Sequence, residues 1–142
     1  MPPVDPGPST VSAVDTVERY GADTARTYVS FLGPPERGGD WVAEGVEGVH
    51  RFLVRLWRLQ LEVAKRTERG DDAGVPAAGP ARELLAKAHW AIDKVTHDIE
   101  HGFALHTAIA AVMELVNDAY RLKDALYGDR EAEAALRFAT AT

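Results

Sequence analysis

The stretch from Glu44 to Arg66, EGVEGVHRFLVRLWRLQLEVAKR, constrains this chain most, because its apolar residues repeat at the period of an α-helix over more than six turns. Val49, Phe52, Leu53, Leu56, Gln60 and Val63 form one stripe that must be covered, while Arg51, Arg55, Arg58, Lys65 and Arg66 lie mostly beside it. One helix therefore carries a core face and a basic flank. A chain of 142 residues with 46% hydrophobic content is large enough for a single core, so residues 12–142 are expected to form one domain behind an extended or disordered leader, 1–11, that holds four of the eight prolines.

The remaining segments repeat the helical pattern. Ser12 predicts the cap of a short helix with Asp15 in its first turn, Val14 and Val17 inward and a stop at Gly21. Asp23 predicts the cap of the next, which turns Ala25, Tyr28, Val29, Phe31 and Leu32 toward neighbours before Gly33, Pro34 and Pro35 forbid continuation. Residues 33–40 read as a turn-rich loop with Trp41 as the plug that fastens it. The stretch 69–80 reads as a surface connection, rich in Gly, Pro and Asp. Beyond it, Leu84, Leu85, Ala88, Ile92, Val95 and Ile99 define a helix from Ala81 to about His101. Leu105, Ile109, Val112, Met113, Val116 and Tyr120 define another to about Tyr127, with Gly102 breaking the chain between the two. So short a link makes them antiparallel neighbours, and 129–138 is helix-prone. No segment alternates as a strand would. The fold class expected is all-α: an antiparallel helical bundle preceded by a short helical pair.

Composition excludes several functions. Without cysteine there is neither a disulfide framework nor a thiolate metal site. No apolar run approaches the roughly 18 residues that span a bilayer, and the N-terminus lacks the pattern of a signal peptide, so a cytoplasmic location is expected. A formal net charge of −6 disfavours general binding to nucleic acid, and any such contact must be local. Neither DNA nor a membrane is expected as a partner.

Two blocks carry a resemblance. ERYGADTARTYVSFLGPPE (18–36), Trp41 and GVEGVHRFLVRLWRL (45–59) resemble the part of leucyl-tRNA synthetases that follows the KMSKS loop and enters the anticodon-binding helical bundle of this class Ia family. AIDKVTHDIEHGFALHTAIAAVMELVNDAY (91–120) resembles the next two helices of that bundle. The resemblance implies the bundle fold and docking on tRNA, leucine tRNA in the first place, by shape and phosphate recognition. Carried onto this sequence, the binding residues are Arg51, Arg55, Arg58, Lys65 and Arg66, whose guanidinium forks and ammonium suit phosphate oxygens. The plainer reading of the same side chains is a solvated flank paired with Glu44, Glu47 and Glu62 at i, i+3 and i, i+4.

The departures from the family matter as much. Where the KMSKS lysines are expected, this chain reads PPVDPGPST, with no lysine. The nucleotide-binding, editing and C-terminal segments of the family do not fit in 142 residues, and the family chain continues past the position of Ala139 into a helical stretch not present here. The expected role is therefore a non-catalytic tRNA-binding module with no cofactor. The alternative is a protein-interaction or scaffolding module, in which a partner protein, a second copy or the tail from Ala132 to Ala141 covers the face left open. A third reading has the module presenting tRNA to a partner enzyme.

One competing motif is His97-Asp98-Ile99-Glu100-His101. Its HxxEH spacing sets two histidines one turn apart around a glutamate, as in zinc hydrolases, with Glu131 or Glu133 as candidate third ligands. The resemblance argues against a metal there. Trp41, Trp57 and Trp90 are expected as core or interface anchors rather than base-stacking platforms. His50, His89 and His106 are expected at the surface or its boundary, and Thr107 as the cap of the helix that follows Gly102.

Overall fold

The structure, a computed structural model, describes residues 12–33, 39, 41–66 and 78–142, except for the side chain of Glu131. The leader 1–11, most of the 33–40 loop and most of the 69–80 connection lie outside the described residues. What is described is all-α: α1 (Ala13–Tyr20), α2 (Ala22–Phe31), α3 (Ala43–Arg66), α4 (Gly79–Gly102), α5 (Leu105–Leu126) and α6 (Arg130–Ala141). The chain divides into two compact units, one ending at Val54 and the other running from Arg55 to Thr142, so α3 contributes residues 43–54 to the first and 55–66 to the second.

In the first unit Ser12 caps α1 as expected, its hydroxyl accepting the Val14 N–H at 3.1 Å. Gly21, at φ 87°, then both ends α1 and serves as the N-cap of α2. Asp23 is therefore a first-turn acid rather than the cap, 3.5 Å from Arg26. Val14 and Val17 do not turn inward; both are exposed, and the buried residue of α1 is Thr16. Likewise α2 buries Thr24, Ala25 and Tyr28 and leaves Val29 and Phe31 exposed. Two short helices hinged at one glycine can cover only a narrow strip of each other. The strip chosen is the one whose hydroxyls find partners: Thr16 donates to the Ser12 carbonyl and accepts from Trp41 Nε1, each at 3.1 Å, and Thr24 donates to the Tyr20 carbonyl at 2.9 Å.

Tyr28 is the centre of this unit. It packs with Val46 and Val49, meets Trp41 edge-on at 5.3 Å, and its hydroxyl accepts the Val42 N–H at 3.1 Å, which satisfies a donor at the entrance to α3. Trp41 thus plugs its segment as the sequence suggests. The Tyr28 ring lies so close to α3 that a Cβ at Gly45 would come within 2.6 Å of Cε2 and 2.9 Å of the hydroxyl.

In the second unit, α3 covers itself with Leu59 and Val63, while Gln60, expected in the stripe, is exposed. Leu59 is four residues before Val63, so the two share the buried face, from which Gln60 is turned by about 100°. The same rotation recurs in α4 and α5. Alanines occupy the buried lines, Ala81, Ala88 and Ala91 on α4 and Ala108, Ala111 and Ala119 on α5, together with Leu84, Leu115 and Leu122. Ile92 and Ile99, expected inside, are exposed, and Ile109, Val112, Met113 and Tyr120 are only partly covered. The tail folds back: α6 packs on α4 and α5 and buries Ala132, Ala135, Leu136 and Ala139. It is set by an N-terminal clasp in which Glu133 Oε1 accepts the Gly128 N–H at 2.9 Å and Asp129 lies 3.5 Å from the Ala132 N–H.

Between α4 and α5 the left-handed residue is Phe103, at φ 51°, rather than Gly102. The turn is held by the Ala104 N–H on the Asp98 carbonyl at 2.9 Å and by the Asp98 side chain, only 7% exposed. Lys94 Nζ lies 2.5 and 2.6 Å from its two oxygens, and the Thr107 hydroxyl lies 2.6 Å from Oδ2. Thr107 is therefore not the N-cap of α5, a place taken by Ala104, but a tie from its first turn back to α4. These bonds favour the carboxylate, Lys94 first and Thr107 next, and hold the Asp98 acid below the ordinary carboxyl value.

Two outcomes follow. Gly45→Ala is expected to destabilise the chain by about 1–3 kcal/mol in urea melts although alanine is the better helix former, because the Tyr28 ring must move; Gly45→Ala with Tyr28→Leu should recover part of the loss. A depressed acid adds stability above its unfolded pKa of 3.8 and loses it as the pH falls through the folded value. Thr107→Val is therefore expected to melt roughly 5 °C lower than the parent at pH 7 and with a smaller difference near pH 2.5, read by thermal circular dichroism.

Candidate nucleic-acid interface

The five cations of α3 meet different fates. In the first unit Arg51 is well exposed and 3.9 Å from Glu47, whose other oxygen accepts the Tyr20 hydroxyl at 3.1 Å. That contact is loose, at the limit of an ion pair, and such an exposed pair contributes little.

In the second unit a ladder of tyrosines and charges on α5 engages part of the flank. The Arg55 guanidinium lies 4.8 Å over the Tyr120 ring, and the Tyr120 hydroxyl donates to the Arg55 carbonyl at 2.8 Å. Arg66 lies 4.8 Å over the Tyr127 ring and 3.7 Å from Glu62. Glu62 in turn takes Lys123 at 2.5 Å, and this bond, more than any other influence, holds its carboxyl below the usual range. Burial pushes the Tyr127 phenol up to about 12, with the Glu62 charge as the next cause. Its buried hydroxyl makes no geometrically sound hydrogen bond among the described residues. Tyr120, Lys123 and Tyr127 escape a reading based on basic residues alone. The signal was their i, i+3, i+7 spacing, which sets all three on one side of α5.

Arg58 and Lys65 stand apart. Both are exposed and neither makes an ion pair among the described residues. Of the expected carboxylates, Glu47 reaches Arg51 and Glu62 reaches Arg66, with Glu62 committed first to Lys123, and Arg58 and Lys65 have none among the described residues.

The tryptophans separate in the same way. Trp41 is the anchor in the first unit already described. Trp90 is 39% exposed, with the Lys87 ammonium 3.5 Å over its ring and Glu114 2.6 Å from that ammonium. Trp57 is 66% exposed, so the anchor expected there is not one within its unit.

The histidines fall near the boundary. The Thr24 hydroxyl proton is used on the Tyr20 carbonyl, so His50 Nδ1, 3.3 Å from that hydroxyl, is the N–H that donates to it. His89 packs 5.0 Å from the Phe138 ring, and His106 is half-buried. His97 and His101 stack at 4.4 Å, and His101 Nδ1 is 3.1 Å from the His97 carbonyl. No group of three or more His, Asp or Glu able to hold a metal ion occurs among the described residues. Glu133, one candidate third ligand, is engaged at the start of α6, and the side chain of Glu131 lies outside the described residues.

A cavity of about 480 Å³ opens in the second unit between α4, α5 and the end of α6, lined by Leu56, Ile92, Val95, Val112 and Val116 among others. It is chiefly apolar. No helix is long and apolar enough to cross a membrane among the described residues.

No protein-family model matches the chain. Leucine–tRNA ligase of Pseudothermotoga lettingae is 42% identical over 116 residues, 82% of this chain and 14% of that protein. The same enzyme of Desulfatibacillum aliphaticivorans is 43% identical over 130 residues, 87% and 15% respectively. That of Nitratidesulfovibrio vulgaris is 40% identical over 139 residues, 93% and 16%. The matched part of the chain therefore spans only 14–16% of the length of these relatives. Among solved structures, the LeuRS of Agrobacterium radiobacter K84, in a ternary complex with tRNA and LeuAMS, superposes with a TM-score of 0.72 at 26% identity, over 91% of this chain and 17% of that one.

Proposed function

The chain is a helical domain of the leucyl-tRNA synthetase kind, and from that relationship we propose that it binds tRNA without performing chemistry of its own. Residues 12–142 act as one domain in the cytoplasm, recognising the shape and phosphates of tRNA, leucine tRNA in the first place, and presenting it to a partner enzyme. The observation that carries the reading is the pair Arg58 and Lys65 on α3: two exposed cations with no carboxylate partner among the described residues, on a chain whose net charge is −6. On an acidic protein, uncompensated positive charge is a local resource for phosphate. Arg51, Arg55 and Arg66 extend the same helix with guanidiniums that are held loosely enough to exchange partners, since their contacts are an exposed pair at 3.9 Å, a ring at 4.8 Å and a pair at 3.7 Å. The solved LeuRS relative, taken with tRNA bound, supports the same direction.

A second reading, a protein-interaction or scaffolding module without tRNA binding, is favoured by the apolar cavity edged by the exposed Ile92. In that reading a partner protein or a second copy fills it.

Fluorescence anisotropy with labelled tRNA at rising salt decides between them. The chain is expected to bind at micromolar concentration in about 50 mM salt and to weaken steeply as salt rises. Arg58→Ala with Lys65→Ala should weaken binding about tenfold and flatten the salt slope by roughly 2, more than Arg51→Ala does alone. Absence of binding at about 10 μM protein in that buffer, with a stable dimer by light scattering, would reverse the order of the two readings.

A further inference from the structure

The line of α3 that faces away from its buried residues in the second unit is not wholly polar. It carries Trp57, 66% exposed, and Leu61, 41% exposed and one turn on, directly opposite the buried Leu59 and Val63. Arg58 and Lys65 border the same line, Arg58 next to Trp57 and Lys65 one turn beyond Leu61. The Trp57 ring has no aromatic, cationic or hydrogen-bonding partner among the described residues, unlike Trp90, whose ring is capped by Lys87, and Trp41, whose indole N–H is bonded to Thr16. A bare indole ring flanked on one side by two cations, Arg58 and Lys65, that make no ion pair among the described residues is complementary to a ligand that is flat, aromatic and anionic. An unpaired nucleotide has all three properties, whereas a duplex hides its base faces and offers only phosphate.

We propose that Trp57 is a base-stacking residue that takes an unpaired nucleotide of the bound RNA, with Arg58 and Lys65 on the adjoining phosphates. This rests on the tRNA-binding reading and adds to it that the helix touches a looped or terminal part of the RNA rather than paired stem alone. Leu61 extends the apolar platform beside the ring. Two-thirds of Trp57 is exposed, so replacing it is expected to shift the melting temperature little.

The test uses the whole chain, a tRNA transcript and a blunt-ended RNA duplex, with Trp57→Ala, Trp57→Phe and Arg58→Ala variants. Trp57→Ala is expected to weaken tRNA binding about tenfold or more while leaving the salt slope and duplex affinity unchanged, and Trp57→Phe to retain most of the affinity. Arg58→Ala is expected to weaken both RNAs and to flatten the slope. The inference is overturned if Trp57→Ala binds tRNA as the parent does, if it loses the duplex to the same extent, or if the parent proves to be a dimer that Trp57→Ala converts to monomer. Failure of the parent to bind tRNA at all would remove the tRNA-binding reading itself, an outcome distinct from parent binding that is indifferent to Trp57.

Discussion

Close approach of alanine-lined helices is the constraint on which the second unit depends. Ala81, Ala88 and Ala91 on α4, Ala108, Ala111 and Ala119 on α5, and Ala132, Ala135 and Ala139 on α6 are all buried. Each contributes little apolar area on its own, but side chains this small let helix axes draw together and bring backbone atoms into dispersion contact. Several larger residues stand at the edges of these lines instead: Ile92, Val95 and Val112 line the cavity, and Ile99 is at the surface.

This constraint also decides what the sequence reveals. Six helices can be placed from caps, glycines and periodicity: Ser12, Gly21 and the turn after Tyr127 fall where the residues say they should. The azimuth of each helix is harder to read, because a hydrophobicity pattern weights isoleucine and valine above alanine. Ile92, Ile99, Val14 and Val17 draw the eye to the wrong faces, whereas Ala91, Asp98 and Thr16 are buried. Polar burial is the other blind spot. Asp98 and Thr16 are interior because specific partners satisfy them; Lys94, one turn from Asp98 on α4, can be read from local spacing, but Thr107 on α5 and Trp41 ahead of α3 cannot.

The basic flank of α3 shows the same division. Its presence and extent are legible in the residues from Arg51 to Arg66. Which cations are free is not, because the answer lies on α5. Tyr120 and Tyr127 lie beneath two of the guanidiniums, and Lys123 takes the strongest bond of Glu62. An amphipathic helix becomes a differentiated surface only when its neighbour is in place, with engaged charge along one edge and open charge beside Trp57 along another. The relationship to leucyl-tRNA synthetases locates the helix in a family, and the side-chain geometry distinguishes its residues from one another.

The polar pairs across α4 and α5 acquire a further meaning beside those alanines. A face of methyl groups is smooth and fixes the distance between two helices better than their slide along each other. Along the two helices, Glu83 meets Arg121, Lys87 meets Glu114 and Asp98 meets Thr107, each at 2.6 Å. As the position on α4 advances, the partner on α5 recedes, the order that antiparallel chains demand. These contacts work as the graduations of a vernier: a slip of one turn would break all three at once. The exposed charges therefore matter less for the energy each adds than for forbidding the neighbouring alignments that alanine alone would tolerate.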